Sequence, residues 1–379
     1  MKDIRLFTPG PTPVPERIRK AGAQMMIHHR SLEFENILQA LRAKLKLLYG
    51  TKGEVVALCS SGTGGLEASM VSLFNKGDEV VVIEAGKFGQ RLEQICKAYE
   101  FNVTTIHVPW GQAVTSDDVI AQITPRTRAI CIQACESSTG AFHPIYEIGK
   151  KLKEFPNIIF MVDAITALGV HDLNMDRDGI DVLVGASQKA FMCPPGLATV
   201  GLSLKAIDCL KKDHAGYYFS LAKELAAQRK NTTAYTPAIS LCVQLLEALK
   251  IMEEEGFANI FKRHLLMRNM TRSAFRALDL ELFNTEADAS NGITVVTAPG
   301  DLNVKGWLKT LKNEEGLWLA GGQDILEEKI FRMAHMGAIQ PDDVVGAIYT
   351  VESSLSSVLP KASTHEGSKA AKKMWCESQ

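Results

Sequence analysis

The segment GASQKAFMCPPG, residues 185–196, holds one lysine among small and apolar residues, with two prolines and a glycine close behind. Most lysines of soluble proteins stand on wet, charged faces. A lysine held away from water gives up its proton more easily, and the free amine suits imine formation with a carbonyl carbon. Three further stretches carry chemistry. SGTGGLEA, residues 61–68, sets glycines and hydroxyls where backbone N–H groups at a helix start can bind an anion. Its spacing is neither GxGxxG nor GxxxxGK[ST], so dinucleotide and P-loop readings lose support. Asp163 follows the apolar run NIIFMV, where an acid needs hydrogen bonds or a cation. CESSTG, residues 135–140, is another hydroxyl-rich turn. Each has a plainer alternative: a capped glycine turn, a capping aspartate, a surface lysine.

The elements that must position these residues form one series. From about residue 55 to 203, the runs EVVALCS, DEVVVIEA, NVTTIHV, RAICIQA, NIIFMVDA and DVLVGA alternate with helical patterns. The runs are Val/Ile-rich with little polar alternation, as in strands covered on both faces. The expectation is an α/β fold with a mostly parallel sheet, whose site lies beyond the carboxyl ends of the strands. SGTGG, CESSTG, Asp163 and Lys189 each follow a strand, so they share one sheet edge. An anion cradle, an acid and a lysine are the parts a pyridoxal phosphate site needs. The cradle takes the phosphate, the lysine the aldehyde, and the acid holds a proton on the pyridine nitrogen. Residues 241–281 read as long helix, followed by an α+β pattern. Residues 1–254 are therefore expected as a large domain with an N-terminal arm, 255–360 as a smaller C-terminal domain, and 361–379 as a loose polar tail.

The chain has 379 residues, with 43 acids against 42 lysines and arginines and a net charge of −1. No overall basic field suits nucleic acid or an anionic membrane. No apolar stretch approaches the roughly 18 residues of a membrane span. The start, MKDIRLFTPGPTPVP, lacks a signal peptide's long apolar run. The eight cysteines form no CxxC pair and no zinc spacing, so they read as free thiols in a cytoplasmic protein without a metal site.

Taken in order, TPGPTPVPERI, SGTGGLEA, GKFGQR, ESSTG, VDAITALG, MDRDGIDVLVGASQKA with PPG, YTPAISL and FRMAHMG resemble the class V aminotransferases of fold type I. The resemblance is to the alanine–glyoxylate and serine–pyruvate (serine–glyoxylate) group and covers nearly the whole chain. It implies that Lys189 carries the cofactor, that Gln188 contacts it, and that Asp163 partners the pyridinium nitrogen. It also implies that Thr63, Gly64 and Gly65 bind the phosphate and that Phe88 stacks on the ring. Ser137 or Ser138 faces the cofactor, and Arg332, with the backbone at Gly10, grips the substrate carboxylate. Tyr235 and Thr236 match a segment that reaches the phosphate of the neighbouring subunit, which implies a homodimer with shared active sites. Gly65 stands where some relatives carry histidine, and Ala334 where many carry glycine. His28 and His29 lie near a family HR element and are candidates for the substrate side.

The expected reaction is transamination between serine or alanine and glyoxylate or pyruvate. A cysteine desulfurase would need a nucleophilic cysteine in the stretch LAGGQDILEEKIF, which has none. A 2-aminoethylphosphonate–pyruvate transaminase remains an alternative, as does a non-enzymatic scaffold that retains the fold.

Overall fold

A computed structural model describes residues 4–211, 216–356, 362 and 364–378. Its main sheet has seven strands. Their order is Glu54–Cys59, Leu197–Leu202, Val182–Ala186, Ile159–Asp163, Thr127–Gln133, Glu79–Glu84 and Asn102–His107. Leu197–Leu202 runs antiparallel to both neighbours, and the other pairings in the sheet are parallel. The two central strands, Ile159–Asp163 and Val182–Ala186, are buried at every residue, which explains their unbroken apolar runs. Separate apolar clusters cover the two faces. One is built around Leu38, Tyr49, Ile130 and Phe160, the other around Leu66, Met70, Val80 and Met161.

Helix Gly62–Leu73 follows directly on strand Glu54–Cys59 and lies close against the sheet. A Cβ on Gly65 would stand 2.9 Å from Ala198 Cβ and 3.0 Å from Val184 Cγ1, so glycine there permits the approach. The long helical stretch breaks at Gly256 (φ +83°) into Ile239–Glu255 and Phe257–Ala277.

A three-stranded antiparallel sheet has Ile330–Ala334 between Ile293–Thr297 and Ala320–Gly321. Its own core sets Phe331 edge-on against Phe275 and Trp307. The N-terminal arm joins this sheet to the large one. Arg5–Leu6 pairs with Leu317–Trp318, Phe7 O accepts from Ala334 N at 2.8 Å, and Thr12 N donates to Gln188 O at 3.1 Å.

The loose tail is corrected in its described part. Glu366–Glu377 is a helix packed on Phe257–Ala277, with Gly367, Ser368 and Ala371 buried. Small residues that read as loose linker let two helices approach. The buried Glu352 carboxylate accepts from Ser368 N at 3.1 Å at the helix start. Among the described residues, no helix is long and apolar enough to cross a membrane, and no group of three or more His, Cys, Asp or Glu is placed to hold a metal ion.

Candidate active site

Lys189 lies in the turn between strands Val182–Ala186 and Leu197–Leu202. The turn is tied internally: Ser187 Oγ donates to Pro194 O at 2.7 Å, and Met192 N to Lys189 O at 2.9 Å. Thr12 Oγ1 also donates to Lys189 O, at 2.8 Å. The side chain reaches back to the N-terminal arm, where Nζ donates to Pro9 O at 2.6 Å. Gly10 leaves the room for it. A Cβ at Gly10 would stand 2.6 Å from Lys189 Cδ and 2.7 Å from Cε. Burial pushes the ammonium down to about 8, against the opposing pull of the Asp163 charge.

Asp163 closes strand Ile159–Asp163 and is buried; its Oδ1 accepts from Ile165 N at 2.9 Å. Burial raises its carboxyl to about 6. The Ile165 N–H and the charges of Lys189 and Arg91 oppose that rise, and Glu136 adds to it. At neutral pH the group is mainly ionised.

Glu136, which sequence reasoning did not single out, organises the backbone beside the cleft. It is fully buried and accepts from five donors: Phe88 N, Gly89 N, Gln133 Nε2, Ser138 N and Ser138 Oγ, at 2.5–3.2 Å. It thereby holds the start of helix Lys87–Ala98 against the ESSTG turn. Its burial raises its carboxyl, while these hydrogen bonds favour the anion. The available signal was an acid at a strand end in CESSTG.

Gly10, Phe88, Ser137, Lys189, Trp318 and Arg332 line one cleft of about 340 Å³. Ser137 lines the cleft, whereas Ser138 Oγ is bonded to Glu136 and accepts from Lys87 N at 3.0 Å. Arg332, on the middle strand of the small sheet, is 6% exposed. Its Nε and Nη2 donate to Gly321 O at 2.9 and 2.7 Å, and Nη1 to Ser137 O at 2.7 Å. Those carbonyls fix the guanidinium but leave its charge unpaired by any carboxylate among the described residues. Burial pushes it down to about 10, still cationic at neutral pH.

The proposed anion cradle is the first turn of helix Gly62–Leu73. Gly64 N and Gly65 N donate to Ser61 O at 2.9 and 3.3 Å, inside the helix's own bonding. Gly64 packs on Ser60 and Phe219, and Gly65 on the sheet. The N–H groups that precede the first intrahelical bond belong to Ser61, Gly62 and Thr63. Thr63 stands at the open helix end, and the two glycines also admit close packing. Gln188 Oε1, beside Lys189, is buried without a hydrogen-bond partner.

Tyr235 and Thr236 do not reach this cleft within one chain. They line a separate pocket with Cys59 and Tyr218, where Tyr235 Oη donates to Tyr217 O at 2.7 Å. His28 and His29 line an adjoining pocket that also includes Thr236.

The family model for aminotransferase class-V matches residues 6–338. The chain belongs to the class-V aminotransferases. It is 38% identical over 354 residues to a protein of Anabaena cylindrica named as the 42 kDa subunit of a soluble hydrogenase, covering 92% of each chain. It is 31% identical over 360 residues to the L-aspartate–glyoxylate aminotransferase of Paracoccus denitrificans, covering 92% of this chain and 90% of that one. The solved alanine–glyoxylate aminotransferase of a Nostoc species superposes with a TM-score of 0.88 at 26% identity, over 94% and 96% of the two chains. The fold is type I, and the aminotransferase depends on pyridoxal 5'-phosphate.

The residues of this aminotransferase fit that cofactor. A lysine of depressed pKa, a buried acid at the adjacent strand end and an open helix N-terminus share one sheet edge. The unpartnered Gln188 Oε1 offers a buried acceptor next to the lysine. An amine for an aldehyde, an anion for a pyridinium and N–H donors for a phosphate are the complementary groups.

Proposed function

We propose that this aminotransferase moves an amino group between serine or alanine and glyoxylate or pyruvate, with Lys189 and Asp163 as the catalytic pair. The observation that carries the reading is Arg332. It is a buried guanidinium without a carboxylate partner, in the same cleft as Lys189. A guanidinium accepts a carboxylate through two parallel hydrogen bonds, which suits the α-carboxylate shared by amino acids and 2-oxo acids. Glyoxylate occurs in the names of two relatives above, and alanine in one.

When bound, pyridoxal phosphate supplies an aldehyde for the amino group and a ring that draws electrons from the substrate Cα. Lys189 Nζ, with its depressed pKa, removes the Cα proton as general base. The Asp163 carboxylate holds a proton at the pyridine nitrogen. Arg332 fixes the α-carboxylate so that the Cα–H bond faces Lys189. Phe88, held through its N–H by Glu136, presents its ring to the cleft, and Ser137 and Gln188 supply polar contacts. Thr63 and its helix start take the phosphate. Two half-reactions on one site imply ping-pong kinetics.

The position of half-buried Tyr235 and exposed Thr236, away from their own chain's cleft, supports a homodimer in which they complete the partner's phosphate site. Light scattering on the purified protein gives the mass. The substrate reading is tested by a matrix of amino donors and 2-oxo acids that includes 2-aminoethylphosphonate. Highest kcat/KM for serine or alanine with glyoxylate or pyruvate supports it, and a preference for the phosphonate sinks it.

A further inference from the structure

Arg91 lies in GKFGQR, on helix Lys87–Ala98, with no role in the assignments above. Its Nη1 donates to Thr63 Oγ1 at 3.4 Å, and its Cζ stands 4.9 Å from the centroid of the Phe88 ring. The guanidinium thus spans the gap between the phosphate turn and the aromatic residue at the cleft. Among the described residues no carboxylate stands within ion-pairing distance of it. Its charge lowers the proton affinity of both Asp163 and Lys189, which places its field inside the site.

The phosphate turn needs a cation. Residues 60–65, SSGTGG, bring hydroxyls and N–H groups but no positive side chain. A phosphate monoester carries about −1.5 to −2 near neutral pH, and a helix N-terminus is equivalent to roughly +0.5. About one or more charges are left to be met. The other cations nearby have other assignments: Arg332 is fixed by Gly321 O and Ser137 O for the substrate carboxylate, Lys189 lies against Pro9 O for the cofactor aldehyde, and Lys87 is ion-paired with Asp324. Arg91 is directed at the turn, and the Phe88 ring face holds it there through a cation–π contact.

We propose that Arg91 binds the phosphate of the cofactor from within the same chain, as the cation that the SSGTGG turn lacks. The proposal rests on the reading that pyridoxal phosphate is held at Lys189. It assigns Arg91 to binding, apart from the chemical step.

The competing role is a brace for Phe88, and the two separate by using a ligand without a phosphate. The full-length chain, stripped of cofactor, is titrated with pyridoxal phosphate and with pyridoxal, as wild type, Arg91→Gln and Arg91→Lys. Loss of charged hydrogen bonds to the phosphate predicts that Arg91→Gln raises the pyridoxal phosphate Kd about tenfold to hundredfold, while the pyridoxal Kd moves less than about threefold. Arg91→Lys restores part of the loss, since it returns the charge without the planar fork. Inorganic phosphate competes with pyridoxal phosphate on the wild type and loses potency in parallel on Arg91→Gln. Equal weakening of both ligands makes Arg91 a brace and overturns the proposal, as does an unchanged pyridoxal phosphate Kd. Borohydride reduction and peptide mapping of the wild type keep the two readings apart. With the cofactor mapped to Lys189, a negative titration removes only the role of Arg91; a cofactor mapped elsewhere overturns both. Arg91 is exposed, so the variants are expected to fold, and thermal melts verify it.

Discussion

Replacing Gly10 by alanine tests whether Lys189 acts where its side chain lies. Gly10 has a φ of +135°, a conformation L-residues rarely adopt. A Cβ there would stand 2.6 Å from Lys189 Cδ and 2.7 Å from Cε, and closer still to Nζ. Non-bonded carbons settle about 3.5–4.0 Å apart, so the lysine must shift by roughly 1 Å and leave Pro9 O. The backbone strain costs the fold about 1–3 kcal/mol. In a chain of this size that lowers Tm by only a few degrees. The displaced amine costs far more in activity, because a 1 Å misplacement is worth about a hundredfold in rate, or about 2.7 kcal/mol of barrier. The assay is kcat/KM for the best amino donor, coupled to 2-oxo acid production, with a thermal melt of the same sample. The expected result is a folded protein with about a hundredfold lower kcat/KM. A folded Gly10→Ala variant within about threefold of wild type would refute the placement of Lys189 beside Gly10.

Asp163→Asn should slow Cα proton removal while leaving the fold intact, and it has a pH signature without cofactor. The folded carboxyl keeps its proton up to about 6, above the ordinary aspartate value of 3.8, so its stability contribution falls as pH rises from about 4 to about 6. Melts should therefore show Asp163→Asn gaining on wild type across that window, by no more than about 3 kcal/mol, and no gain would contradict the burial argument. Arg332→Lys keeps a charge but loses the fork, so kcat/KM for serine or alanine should fall about tenfold to hundredfold, with cofactor affinity unchanged. Simple amines should be far less affected; equal loss for amines and amino acids would make Arg332 a structural residue.

Legibility in the sequence followed burial and chain order. The strands were readable because Val/Ile runs covered on both faces stay apolar throughout, and Asp163 and Lys189 because each closes such a run or its turn. The antiparallel strand Leu197–Leu202 was not singled out, since its six residues follow the PPG turn with no helix before them. Glycine carries two signals that spacing cannot separate. Gly64 and Gly65 read as anion-binding backbone, and their missing side chains also admit close packing. Glu136 was hidden because two of its donors, Phe88 N and Gly89 N, lie nearly fifty residues away in the chain. Gly367, Ser368 and Ala371 suggested a loose tail because small residues look alike in a linker and at a close helix crossing.

The central claim is that the lone lysine of GASQKAFMCPPG holds the cofactor. Borohydride reduction of the wild-type holoenzyme, followed by proteolysis and mass spectrometry, measures this directly. The account predicts one reduced pyridoxyl adduct, on the peptide containing Lys189, and its loss in Lys189→Ala. An adduct on any other lysine, or none on the wild type, would contradict it.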